Sequence, residues 1–296
     1  MWLALVILLG VILVVFAEIY REMHRFVISR YRIKTARLSA DMPELKAVFL
    51  SDLHNKEYGV DNAELIDAMR DEKPDLILIG GDMLVGKPGS SFEIAASFIE
   101  KLPSIAPVWY ANGNHEQRMR ADIKKYGDAY QRYHDRLKEA GVHFLLDENA
   151  LVMYQGERIH IAGLEVPEKC YGRTSRYELK EEEIVRRLGK IDGDTFQILM
   201  AHPPEYTDVY RKWGADLILS GHLHGGIVRI PFLGAVFTPQ FRLFPKYSGG
   251  LYREGDTDIV VSKGLGTHTV NLRLFNPAEL IVLQIEGQKK ENQEGR

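Results

Sequence analysis

Leu219-Ser220-Gly221-His222-Leu223-His224-Gly225-Gly226 ends an apolar run with two imidazoles two residues apart, set between glycines. A buried strand stopping there would deliver both rings from a loop, the presentation that a metal ligand needs. A His-x-His pair is weak evidence alone. Upstream, however, Ser51-Asp52-Leu53-His54, Gly80-Gly81-Asp82, Gly113-Asn114-His115-Glu116 and Ala201-His202-Pro203 each close a similar run. Polar residues recurring at the ends of apolar runs make this an α/β chain with a chemical site.

Leu45 to Leu50 alternates and is rich in β-formers, so it predicts a strand with Asp52 and His54 just past its end. A helix over Asn62–Arg70 and the unbroken apolar run that begins at Pro74 and reaches Ile79 complete a strand–helix–strand unit, the mark of a parallel sheet. Phe92–Leu102 reads as a helix, Pro107–Ala111 as a strand, and Asp122–Ala140 as one long amphipathic helix stopped by Gly141. Shorter segments at His143–Leu146, Ala150–Tyr154 and Arg158–Leu164 suggest antiparallel strands. Helices over Leu179–Leu188 and Tyr206–Trp213 alternate with strands at Phe196–Met200 and Ala215–Ser220, and Asp258–Ser262 and Glu279–Ile285 close the fold. Between Gly225 and Tyr252 the chain is irregular and carries Ile230, Phe232, Leu233, Val236, Phe237, Phe241, Leu243 and Phe244. A packed loop and an apolar lip around the site both stay open as readings. No internal repeat or low-complexity segment is evident.

The 296 residues suffice for one core of roughly 250 residues plus an N-terminal appendage. With 45% hydrophobic and 27% charged residues and a net charge of -3, no field collects nucleic acid, and no specific nucleic-acid binding is expected. The chain has 1 cysteine, Cys170, which excludes an internal disulfide and suits a reducing compartment. Metal ligands must therefore be nitrogen and oxygen.

Residues 1–20 read as a transmembrane anchor: Met1 to Ala17 is entirely apolar or Gly, and roughly 17–25 such residues cross a bilayer. A cleaved signal peptide would carry a basic leading region, whereas Trp2 and Leu3 follow the initiator directly. Arg21, Arg25, Arg30, Arg32, Lys34 and Arg37 follow the apolar run, and by the positive-inside rule they place the following domain in the cytoplasm of a single-pass membrane protein. Export of the domain is the alternative. Residues 21–43 predict a juxtamembrane basic helix or linker, because Ile19, Met23, Phe26, Val27 and Tyr31 recur near helical spacing. Such a helix would lie on the membrane or continue the anchor. The main domain is expected over 44–286, followed by a polar, disordered tail over 287–296.

In a parallel sheet the C-terminal ends of the strands share one rim, so Asp52, His54, Asp82, Asn114, His202, His222 and His224 can converge there. Imidazoles, carboxylates and an amide oxygen without thiolate suit Mn, Fe or Zn. Seven ligands exceed one tetrahedral site. They suit two ions roughly 3.5–4 Å apart with a bridging carboxylate.

With its five motifs in the family's order from Leu45 to Ile285, the chain resembles the calcineurin-like metallophosphoesterase superfamily. The resemblance implies a four-layer α-β-β-α sandwich with mixed sheets, here preceded by one transmembrane helix. It implies that Asp52, His54 and His224 bind a first divalent metal ion, that Asn114, His202 and His222 bind a second, and that Asp82 bridges both. Manganese is the expected metal, with iron or zinc as alternatives. It further implies that a hydroxide between the metals attacks phosphorus, while His115 contacts the phosphate and protonates the leaving oxygen. The superfamily's protein phosphatases carry Asp-Arg-Gly at the second motif, whereas Asp82 is followed by Met83-Leu84-Val85-Gly86. The chain looks more like the bacterial membrane-associated phosphodiesterases, so a phosphodiester or pyrophosphate substrate is expected, with a lipid-linked one open. A phosphomonoesterase and a non-catalytic scaffold on the same fold are the alternatives. His24, His134, His143, His160 and His268 lack such settings and read as structural or surface residues, and Glu116 as solvent-facing with no catalytic role.

Overall fold

The apolar runs become the inner strands of two sheets packed face to face. The computed structural model describes residues 1–172, 177–191, 193–230, 233–238, 243–267 and 271–289. Phe232, Phe241, His268 and the tail from 290 onward lie outside the described residues. In chain order the elements are α1 (Trp2–His24), β1 (Phe26–Thr35), β2 (Leu45–Leu50), α2 (Ala63–Glu72), β3 (Leu76–Ile79), α3 (Glu93–Ile99), β4 (Val108–Tyr110), α4 (Asn114–Ala121), α5 (Ile123–Tyr126), α6 (Ala129–Glu139) and β5 (Val142–Phe144). They continue with β6 (Glu148–Tyr154), β7 (Glu157–Leu164), α7 (Glu181–Leu188), β8 (Phe196–Ala201), α8 (Thr207–Trp213), β9 (Leu217–Ser220), β10 (Val228–Ile230), β11 (Gly234–Phe237), β12 (Gly250–Glu254), β13 (Thr257–Val261) and β14 (Ala278–Gly287).

One six-stranded sheet has the order β1-β14-β2-β3-β4-β5 and the other β12-β13-β9-β8-β7-β6. In the first, β2 through β5 run parallel and β14 runs antiparallel to β2. In the second, β13, β9, β8 and β7 run parallel between antiparallel edge strands. Alternation along each strand separates three apolar layers. Val48 and Leu50 pack outward against α2, α3 and α6, while Ala47 and Phe49 pack inward on Ile198, Met200, Leu217 and Leu219 of the opposite sheet. On the far side Leu199 and Ile218 meet Ile184 and Leu188 of α7 and Tyr210 of α8. The result is the expected α-β-β-α stack with mixed sheets. Full burial of a side chain such as Phe49 is worth about 1.5–3 kcal/mol.

Ahead of the sandwich, α1 has a mean hydropathy of 2.8 over its most apolar window, none of it buried, and is long and apolar enough to cross a membrane. The helix expected to continue through the basic segment stops at His24. Phe26–Thr35 is instead a strand, in parallel register with β14 from Phe26↔Ala278 to Thr35↔Gly287. Its apolar spacing fits either element, and a hydrogen-bonding partner some 250 residues away decides for strand. The sheet therefore begins at residue 26, ahead of the expected boundary at 44. The long helix expected over Asp122–Ala140 is broken into α5 and α6 at Gly127, which takes φ 62°. Strand β5 extends the parallel array of β4, where an antiparallel strand was expected. Part of the irregular 225–252 stretch forms the antiparallel pair β10–β11.

Candidate metal centre

Every predicted site residue follows the C-terminal end of a parallel strand, and two glycines permit close approaches, one between the two rims and one within the first. A Cβ on Gly221 would lie 2.0 Å from Ser51 Oγ and 2.2 Å from an oxygen of Asp52, so only glycine lets the end of β9 touch the end of β2. Gly81, at φ +88°, would meet the nitrogen of Gly113 at 2.0 Å, which locks the β3 and β4 loops together. Asp52, His54, Asp82, His222 and His224 all adopt left-handed backbone, with φ of 55°, 49°, 54°, 71° and 51°. For residues with a Cβ this costs on the order of 1 kcal/mol each. Such strain gathers at functional sites, where it aims side chains at a common point.

Six of the seven ligand candidates form one buried cluster, and Asn114 is buried beside His115 at the start of α4. Asp52, His54 and His224 offer ligand atoms within 4.8 Å of one another, as do Asp82, His202 and His222, and a third overlapping set is His54, Asp82 and His115. Asp82 is central: its Oδ2 lies 3.1 Å from His202 Nε2, 3.9 Å from His54 Nε2 and 4.0 Å from His115 Nε2. Asp52 Oδ1 lies 3.4 Å from His224 Nε2 and 3.7 Å from His202 Nε2. His54 and His224 bring their Nε2 atoms to 3.1 Å.

Backbone groups orient these side chains. The nitrogen of His222 donates to both oxygens of Asp52 at 3.0 and 3.2 Å, and the nitrogen of His115 donates to Asp82 Oδ1 at 2.8 Å. His202 Nδ1 faces the carbonyl of Gly80 at 2.8 Å, so it carries a ring proton and aims Nε2 at the cluster, where that nitrogen can ligate once deprotonated. Among the described residues, Asn114 Oδ1 is buried with no hydrogen-bond partner, and His202 Nε2 has only the Asp82 carboxylate at 3.1 Å beside it. Buried lone pairs without a proton to accept are costly in a protein interior, and a divalent cation satisfies them. The donor set fits a metal pair. Burial would push the Asp82 carboxyl up, but His202, His115 and His54 hold it well below the usual carboxylate range. Burial opposes charge on His202 too, yet Asp82 and Asp52 carry it up to about 10. The cluster thus demands cations, as protons or as metal.

Three supports were not legible as such. Glu116, expected to face solvent, is fully buried: its carboxylate accepts from the nitrogens of Asp82 at 2.9 Å, Met83 at 2.8 Å and Gly113 at 3.1 Å, and from the Tyr110 hydroxyl at 2.9 Å. It caps α4 and fixes the Asp82 loop to the Asn114 loop. Tyr171 sets its ring edge against His222 at a 5.0 Å centroid distance. Asn276 donates to the carbonyls of His224 at 2.7 Å and Gly226 at 2.6 Å, bracing the loop of the opening motif. Of these only Glu116 stood in a motif, and its charge misled. The other described histidines sit elsewhere: His24 stacks on Tyr20, His134 against Phe144 and His143 on Trp109, and His160 pairs with Gln197 in the second sheet.

Beside the cluster, a cavity of about 350 Å³ is lined by Pro204, Leu223, Leu243, Lys246 and Tyr247 among others. Of the apolar residues left open between packed loop and lip, Ala235 next to them is buried, but Leu233, Leu243 and Phe244 are 71%, 70% and 61% exposed.

A family model described as calcineurin-like phosphoesterase matches residues 45–226. The chain is 27% identical over 274 residues to the metallophosphoesterase YkuE of Bacillus subtilis (strain 168), covering 90% of this chain and 88% of that one. It is 26% identical over 269 residues to the phosphodiesterase YaeI of Escherichia coli (strain K12), covering 90% of each. Among solved structures, TT1561 of Thermus thermophilus matches with a TM-score of 0.46 and 13% identity over 75% of this chain and 90% of that one.

Proposed function

Since the chain belongs to the calcineurin-like phosphoesterase family and is a phosphoric ester hydrolase, we propose that it cleaves phosphodiesters or pyrophosphates at a dinuclear centre. Asp52, His54 and His224 would hold one divalent ion, Asn114, His202 and His222 the other, and Asp82 would serve both. The observation that carries this reading is the central place of Asp82 between two buried imidazole and carboxylate sets. Bound there, two ions such as Mn would supply an acidified water as nucleophile and neutralise phosphoryl charge.

The chain's own residues supply the rest. The nitrogen of Gly86 donates to His115 Nδ1 at 2.7 Å, so the ring proton of His115 sits on Nε2, the nitrogen facing the cluster. That proton is placed to hydrogen-bond a phosphoryl oxygen and to pass to the departing one. After Asp82 come Met83 and Leu84, both buried, and no guanidinium stands there to meet the second charge of a monoester. With the name of the YaeI relative, this supports a diester preference. We further place the enzyme at the cell membrane through α1 with its domain in the cytoplasm, a reading supported by the exposed apolar helix and the basic residues that follow it.

Turnover of bis(p-nitrophenyl) phosphate, p-nitrophenyl phosphate and a phosphoserine peptide by the Mn-loaded protein tests the preference. The diester kcat/KM should exceed the others at least tenfold, and His115→Ala should lower its kcat. Equal rates on the peptide would overturn the diester reading. Inertness toward all three, unchanged by His115→Ala, would overturn the dinuclear hydrolase.

A further inference from the structure

We infer that the metal-bearing rim faces the bilayer entered by α1, so that the site takes its phosphoester from membrane lipid. The inference rests on the phosphodiesterase reading for its chemistry, and on the fold for its direction.

Strand β14 is antiparallel to β2, pairing Ile281 with Phe49 and Ile285 with Leu45, so β14 begins where β2 ends. Strand β1 is parallel to β14 and starts beside it, Phe26 opposite Ala278. Helix α1 therefore leaves the sandwich from the rim that carries Asp52 and His54, one residue ahead of the sheet. No linker intervenes. The helix end is also bonded to the site loops. Buried Glu22 accepts from the nitrogen of Asn276 at 2.9 Å, and the side chain of Asn276 holds the carbonyls of His224 and Gly226. The ammonium of Lys56, two residues beyond His54, donates to the carbonyl of Met23. At 1.5 Å per residue, the part of α1 from Trp2 to Arg21 spans roughly 30 Å, enough for a bilayer core. A spanning helix fixed this way holds the rim against the membrane surface.

The surface at that rim fits that placement. Ile230, Leu233 and Phe275 surround one groove with Arg229 and Lys246, and Leu243 and Lys246 line the cavity beside Leu223, between the two motif histidines. Phe244 and Phe275 are 61% and 49% exposed and hold left-handed backbone at φ 42° and 54°. Bulky side chains rarely take that conformation, and turning them to water brings no compensating burial. Burial in the headgroup and acyl boundary supplies it, with basic residues meeting anionic headgroups.

The test uses the full chain in vesicles of phosphatidylethanolamine, phosphatidylglycerol and cardiolipin. In a Cys170→Ala background, a fluorophore is attached at Leu233→Cys, at Phe275→Cys, or at Met153→Cys near the opposite end of the sandwich. Brominated acyl chains should quench the first two at least twofold and leave the third unchanged. In the same vesicles with Mn(II), headgroup release from the diacyl lipids should exceed that from their deacylated glycerophosphodiesters at least tenfold in kcat/KM. Absent quenching at both rim positions would overturn the orientation. Cleavage of bis(p-nitrophenyl) phosphate with none of the lipids, or with only the deacylated forms, would overturn the lipid substrate. Quenching at the rim with no diester cleaved at all would remove the phosphodiesterase reading and the substrate class with it, while leaving the orientation standing.

Discussion

Removing the Glu116 carboxylate should cost more than removing any surface charge of this protein, because four buried donors converge on it. The nitrogens of Asp82, Met83 and Gly113 and the Tyr110 hydroxyl all lie within 3.1 Å of its oxygens. An unsatisfied buried donor costs about 1–3 kcal/mol. In Glu116→Ala the tyrosine hydroxyl can turn to Tyr133, at 3.0 Å, leaving three orphaned N–H groups. Water entering the vacated space would recover part of the loss, so a destabilisation of about 3–5 kcal/mol is expected. In Glu116→Gln the amide NH2 faces either two N–H groups or one N–H and a hydroxyl that can accept. The second arrangement is cheaper and leaves Met83 opposed, for about 2 kcal/mol. Both variants also loosen Asp82 and Asn114, and Mn(II) affinity should fall at least tenfold in each. Urea unfolding of the detergent-solubilised, metal-free chain reads the first quantity and calorimetric Mn(II) titration the second. Two variants within about 0.5 kcal/mol of the parent, with unchanged affinity, would refute the view that this carboxylate fixes the site.

Chelating the metal should lower the thermal midpoint by roughly 5–10 °C, since ligand at a hundredfold excess over Kd stabilises by about 2.7 kcal/mol. That shift should shrink on acidification: His202, carried up to about 10 by Asp82 and Asp52 against its burial, must lose its proton to ligate, so affinity rises with pH up to that value. A pH-independent affinity between pH 6 and 9 would contradict it. Arg136, which ties α6 to Glu93 and Glu100, should cost about 1 kcal/mol on change to Ala, a modest figure because all three groups are partly exposed. Its hydrogen bond lowers the pKa of Glu100, and a depressed carboxylate stabilises above its ordinary value and loses that contribution as pH falls. The deficit of Arg136→Ala should therefore shrink toward pH 3 in urea titrations.

Most of the inner strands were legible because strands covered on both faces become unbroken apolar runs, and polar residues beyond them stand out. Asp52, His54, Asp82, Asn114, His202, His222 and His224 stand out as candidates on that signal together with a family resemblance. Glu116 was not, since a glutamate looks the same in sequence whether water or three backbone nitrogens satisfy it. The segment Phe26–Thr35 was misread for a related reason. Its apolar spacing suits a helix as well as a strand, and only pairing with β14, distant in sequence, selects the strand. The order of residues is enough to show which side chains stand at strand ends and that one helix is apolar enough for a membrane. That both rims meet, which side chains surround Asp82, and that α1 departs from the same rim depend on how the strands pair and pack. Strand direction and register are relations between distant segments, and no single stretch of chain encodes them.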